Sequence, residues 1–263
     1  MVVSVSSDLR ILVETSKPGT EQVARKKRLI YQKVLQESAH LDGGNFTAVH
    51  TSDLQRLFDE YDRHCFESQI GTTLCNTPLR FRLSQRMTRA AGRTTRYRHP
   101  ARQGTSGIEI SVSTTLLSQC FDGHDHRPIT VVGITCKDRL EALQCVMEHE
   151  IVHLLEFALW STSKCSAARF QSIASRFFLH QSHTHQLITP RERAAEQFGV
   201  TLGDYVQFSH GAVDQIGRVT RITKRATVLV QDAQGALFSD GKRYRTYYVP
   251  VERLTVVDKP SSS

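Results

Sequence analysis

The chain has 263 residues, 39% hydrophobic and 23% charged, enough for one large domain or two modest ones, which excludes bulk disorder; no stretch approaches the run of roughly 18 apolar residues that a membrane helix needs. The start, Met1–Asp8, lacks the basic and apolar regions of a signal peptide, and the six cysteines form no CxxC pair, which argues against a disulfide framework or a cysteine-rich zinc ribbon and for a reducing, cytoplasmic compartment. The net charge of +8 is concentrated: residues 79–108 hold eight arginines and no acidic residue, a patch that attracts polyanions.

Residues 1–20, with Ser, Thr, Pro18 and Gly19, read as weakly structured. Residues 21–38 have helix-forming composition, and Gly43-Gly44 breaks that segment. A second helix starts near the favourable N-cap pair Ser52-Asp53, with Leu54, Leu57, Phe58, Tyr61 and Cys65 at spacings that bury one face. Of three β-like runs, 79–83 and 108–112 alternate strictly, while 90–98 is mixed around Gly92. Residues 129–134 could add a short strand in an insertion. Asp138 caps a long helix to Trp160, with Leu140, Leu143, Met147, Ile151, Leu154 and Leu155 on one side. Further helices cover 167–179 and 190–198, the second opened by Pro190 and ended by Gly199. From Gly203 the texture turns to short strands at 204–208, 217–222, 226–230, 244–249 and 254–257. The expected organisation is a partly helical N-terminal extension over 1–50, an α+β body over 51–200 and a small all-β barrel over 201–258.

The sharpest motif is His149-Glu150-Ile151-Val152-His153 inside the long helix. Positions i and i+4 share one helix face, so two imidazoles can grip one Zn²⁺. Glu150 beside them can take a proton from an activated water, with peptide bonds as the usual target. A third protein ligand is expected. Downstream candidates are Cys165, His180, His183 and His185, with Glu192 and Glu196 more distant.

At this point the sequence resembles a known family, the SprT-like or Spartan zinc metalloproteases. Tyr61-Asp62 to Phe66, then Ile70 and Leu74, resemble its opening "YN…F…L" helix. Ser84–Thr88 with Ala91-Gly92 resembles its "SxRMT…AG" strand, and Ile108–Ser111 with Leu116-Leu117 its "I.LS…LL" segment. Arg169-Phe170 leading to Phe177, and Thr184-His185-Gln186, resemble later elements. The resemblance covers about residues 52–187 and implies a zincin-like α+β metalloprotease domain. The family's third ligand is usually the histidine of "HGxxF/W". Here that position holds Ser166, with Cys165 beside it; a one-residue loop shift would let Cys165 replace the histidine, because thiolate binds zinc well, the alternatives being His185 or a neighbouring histidine, or no third ligand. The resemblance further implies a zinc-dependent endopeptidase acting on DNA-associated or DNA-crosslinked proteins.

Arginine suits phosphate through bidentate hydrogen bonds. Arg80, Arg82, Arg93 and Arg96, with Arg86, Arg89, Arg98 and Arg102 around them, are therefore candidate DNA contacts, or else a solubilising sheet face. The C-terminal unit resembles SH3-like or KOW-type barrels, where Lys224 and Arg225 are further candidate nucleic-acid contacts. With DNA as partner, the cytoplasmic placement becomes nucleoid- or nucleus-associated. Two alternatives remain: a nucleic-acid-binding scaffold with a structural zinc, and a metallopeptidase whose substrate is unrelated to DNA.

Overall fold

The computed structural model describes residues 5–259 apart from 76, 99–105, 124 and 126; Arg102 and the side chain of Arg98 lie outside the described residues. The protein is mixed α+β and divides into two units, residues 1–187 and 188–263. The second unit thus begins ahead of the Pro190 helix rather than at 201. No helix among the described residues is long and apolar enough to cross a membrane.

The first unit runs α1 (Val5–Thr15), α2 (Thr20–Glu37), α3 (Thr51–Phe66), α4 (Gln69–Thr73), β1 (Leu79–Ser84), β2 (Gly92–Arg98), β3 (Ser106–Ser113) and α5 (Thr114–Ser118). A two-stranded ribbon follows, β4 (Thr130–Val131) and β5 (Ile134–Thr135), then α6 (Arg139–Trp160) and α7 (Ala168–Phe178).

The expectation of a weakly structured start is corrected. Leu9 and Val13, one turn apart on α1, are buried, and the chain's carbonyls at Val13 and Ser16 accept hydrogen bonds from Arg176 of α7 at 2.9 and 2.5 Å. A short helix is marginal alone, so these tertiary contacts hold it. α2 buries Val23, Ile30 and Val34. The first 50 residues are therefore not an appendage but part of the first unit. α3 is capped at His50, ahead of the expected Ser52-Asp53 pair: the His50 backbone donates to Asp53 Oδ2 at 2.8 Å, and the His50 ring accepts from the Ser52 backbone.

β3 is the centre of a three-stranded sheet, parallel to β1 and antiparallel to β2. Alternation sorts its side chains. Ile108, Ile110 and Val112 are buried on one face. The register places Arg80, Arg82 and Arg93 on the other, beside Glu109 and Ser111. α6 packs against β2, β3, α3 and α7. Besides the expected stripe it buries Ala142, Cys145, Val146 and Val152. A helix apolar all round is a core helix, and this one is the axis of the unit.

The second unit opens with α8 (Pro190–Phe198), held by a capping box between Thr189 and Glu192. The strands β6 (Tyr205–His210), β7 (Val213–Ile222), β8 (Ala226–Leu237), β9 (Arg243–Val249) and β10 (Thr255–Val257) form one five-stranded antiparallel sheet, order β10-β6-β7-β8-β9. Ala194 and Val200 share a core with Val206, Phe208, Val219, Val228 and Val249, which is why α8 groups with these strands. β7 runs longer than the sequence suggests because residues 213–216 pair with β6, and β8 because a register shift at 231/236 lets its pairing with β9 continue past irregular positions.

Candidate metal centre

His149 and His153 lie one turn apart on α6, with their Nε2 atoms 3.2 Å from each other. Phe170, in the first turn of α7, packs on both rings at centroid distances of 4.8 and 4.6 Å. After Trp160 the chain leaves the helix through Ser161 in the left-handed region, φ 62°. That reversal brings Cys165, just ahead of α7, back to the histidines. One ligand atom from each of His149, His153 and Cys165 lies within 4.8 Å of the others, so the three could hold a metal ion.

The donor chemistry fits. Burial pushes both imidazoles down, His149 to about 3 with the neighbouring His153 adding to the effect. Burial thus favours the neutral rings, the form in which an imidazole can ligate a metal. Two imidazoles and a thiolate suit a d-block ion rather than magnesium or calcium.

The other candidates are placed elsewhere. His180 is buried with Nε2 2.9 Å from Glu148 Oε2. His185 Nε2 lies 3.1 Å from the Ala91 amide nitrogen and 3.0 Å from the Arg89 carbonyl. Among the described residues the cluster includes neither of these nor His183, and Glu192 and Glu196 belong to the second unit. Cys165→Ala is therefore expected to weaken Co²⁺ binding by more than the about 10–100-fold that losing an outer-sphere partner costs, and to abolish the thiolate-to-cobalt absorption band. His185→Ala is expected to change neither; the reverse pattern would assign the third position to His185.

Three carboxylates are buried along this apolar helix, and each is satisfied differently. Glu150 faces the sheet, where its Oε2 accepts from Thr94 Oγ1 at 2.7 Å. A Cβ on Gly92 would sit 2.5 Å from Glu150 Oε1, so the strand has to carry glycine there. Burial pushes the Glu150 carboxyl up to about 7, with the Thr94 hydrogen bonds opposing. A carboxyl so placed can take and release a proton near neutral pH.

Glu148 accepts from Lys27 Nζ at 2.9 Å and Tyr61 OH at 2.5 Å, with His180 as a third partner. Burial alone would push it up, but Lys27 and these hydrogen bonds outweigh that and hold it below the usual range. Glu156 accepts from Ser163 Oγ at 2.7 Å and Arg169 Nε at 2.6 Å. Sequence reasoning missed Thr94, Glu156 and Ser163 as partners of the site residues, and Glu148 as a buried ion-pair member beside them in the chain. The available signal was the carboxylates themselves, since an acidic residue inside an apolar helix has to find a partner.

The arginines divide by strand parity. Arg80, Arg82 and Arg93 share the outer face of the sheet. Arg80 stacks over the Tyr97 ring at 4.7 Å, and Arg82 lies 3.8 Å from Glu109. Arg96 has the opposite parity. Its Nη2 donates to the Phe157 carbonyl at 2.6 Å, and its guanidinium covers the Phe157 ring at 5.0 Å. The structure therefore does not bring Arg96 together with the other three. Lys224 and Arg225 are exposed in the turn between β7 and β8 of the second unit. No known protein family, curated protein or solved structure matches this chain.

Proposed function

We propose that the first unit is a zinc endopeptidase of the SprT-like, zincin-fold kind. It would cut proteins bound or crosslinked to DNA, in the cytoplasm, at the nucleoid or in the nucleus. The observation that carries this reading is the convergence of His149, His153 and Cys165 on the helix that also holds the buried Glu150. A zinc ion in this cluster would polarise a carbonyl and favour ionisation of water. Glu150 accepts the proton of the attacking water and returns it to the leaving amine, while Thr94 holds the carboxylate in place. Phe170 covers both imidazoles and limits their exposure to solvent. Three protein ligands leave one position for substrate, which favours catalysis over a closed structural site; among the described residues no fourth His, Cys, Asp or Glu joins the cluster.

The DNA part of the reading rests on the outer sheet face, where Arg80, Arg82 and Arg93 stand together. The second unit, which we read as an SH3-like barrel, adds Lys224 and Arg225. If the face contacts phosphates, log affinity for duplex DNA falls linearly with log salt. Replacing Arg82 and Arg93 by alanine is then expected to flatten the slope by about one unit per lost contact. Arg96→Ala should leave the slope unchanged, because its guanidinium is engaged by α6. An unchanged slope in the double variant would favour the solubility role.

The test of the whole reading counts zinc per chain, then compares cleavage of one protein free and bound to DNA, with and without a chelator. The expected result is stoichiometric zinc and chelator-sensitive cleavage of the DNA-bound form. Cleavage indifferent to DNA would move the substrate elsewhere. Stoichiometric zinc without cleavage would leave the structural-zinc scaffold.

A further inference from the structure

His153 differs from His149 in what stands behind it. Its Nδ1 lies 2.6 Å from Ser163 Oγ, and Ser163 Oγ lies 2.7 Å from Glu156 Oε2. Glu156 is fully buried and also accepts from Arg169 Nε at 2.6 Å and the Lys164 backbone at 3.3 Å. Glu156 is the acceptor in all three contacts, from the Arg169 guanidinium, the Lys164 N–H and the Ser163 hydroxyl. The short Ser163–Glu156 contact therefore consumes the single hydroxyl proton of Ser163. What Ser163 has left for His153 is a lone pair, so the proton between them sits on His153 Nδ1. The His153 Nε2 lone pair is then free and aimed at His149.

We propose that Glu156 and Ser163 are positioning residues, a carboxylate–hydroxyl relay that fixes His153 in the Nδ1–H tautomer and so makes it the ligand already set to bind. This rests on reading the cluster as a metal site, and it adds an asymmetry within it. His149 Nδ1 is buried with no hydrogen-bond partner, and its Nε2 faces the His153 lone pair at 3.2 Å. In the metal-free protein the proton shared by the two Nε2 atoms therefore belongs to His149, which has to move it to Nδ1 before it can ligate. His153 has to move nothing.

The relay also reaches the third ligand. Glu156 accepts from Ser163, Lys164 and Arg169; the first two sit in the loop that delivers Cys165, and Arg169 follows it. Arg169 in turn donates to the Thr162 carbonyl at 3.1 Å and stacks over Trp160 at 4.6 Å. One buried carboxylate thus aims an imidazole and holds the segment carrying the thiol.

The experiment uses the full chain with ¹⁵N-labelled histidine. In the metal-free wild type at pH 7.5, His153 is expected as the Nδ1–H tautomer and His149 as Nε2–H. Addition of Zn²⁺ is expected to switch His149 and leave His153 as it was. Ser163→Ala should mix the His153 tautomers and weaken Zn²⁺ affinity, measured against a competing chelator, by about 10–100-fold. Ser163→Thr, which keeps the hydroxyl, should restore both. His153 found as Nε2–H in the wild type, a result that needs no variant to fold, would overturn the proposal. So would Ser163→Ala with unchanged tautomer and affinity. A wild type that takes up no zinc would instead refute the metal reading, while the metal-free tautomer still decides the relay.

Discussion

Glu150→Gln is expected to retain full zinc while peptide cleavage falls by about 10²–10⁴-fold, the range a positioned general acid–base contributes. Glutamine keeps the shape of the side chain, and its carbonyl can still accept the Thr94 hydroxyl that Glu150 accepts at 2.7 Å. The close fit against Gly92 is likewise kept. What is lost is the capacity to take a proton, which the carboxyl has near neutrality because burial pushes it up to about 7. Glu150 is not among the cluster's ligand atoms, so metal content serves as the internal control. Cleavage at the wild-type rate in a zinc-loaded variant would remove Glu150 from the chemistry.

Lys27→Met is expected to destabilise the first unit by about 3–5 kcal/mol, because it breaks a buried ion pair and leaves the partner charge behind. Lys27 Nζ lies 2.9 Å from Glu148 Oε2 and donates to the Phe178 carbonyl at 3.1 Å, while Glu148 is fully buried. At roughly 2–4 °C per kcal/mol for a unit of this size, the melting temperature should fall by about 6–20 °C. Combining Lys27→Met with Glu148→Gln should recover part of the loss, since no uncompensated charge then stays inside. A melting curve for Lys27→Met within 2 °C of the wild type would show that the pair is dispensable.

What could be read from the sequence follows the range of the interaction. The two candidate ligand histidines are legible because i and i+4 on one helix is a local relation. Cys165 is only one of several candidates there, because its approach depends on a reversal at Ser161 that a non-glycine residue makes in the left-handed region. The arginine segment is visible as charge, yet its two faces are not. The run around Gly92 alternates too poorly to assign parity, and only the register with β3 separates Arg93 from Arg96. α1 is hidden for a related reason: two buried side chains among serines make too narrow a stripe, and the helix depends on partners such as Arg176, about 160 residues away in the chain.

The Lys27–Glu148 pair also has a consequence in time. The two residues are 121 positions apart, and Glu148 immediately precedes His149. During synthesis α2 emerges long before α6, so its lysine waits without a partner until most of the first unit has left the ribosome. Closing so long a loop is slow and entropically costly. α6 therefore cannot form this pair until the chain through Glu148 has been made, and a chain interrupted before α6 lacks His149 and His153 altogether.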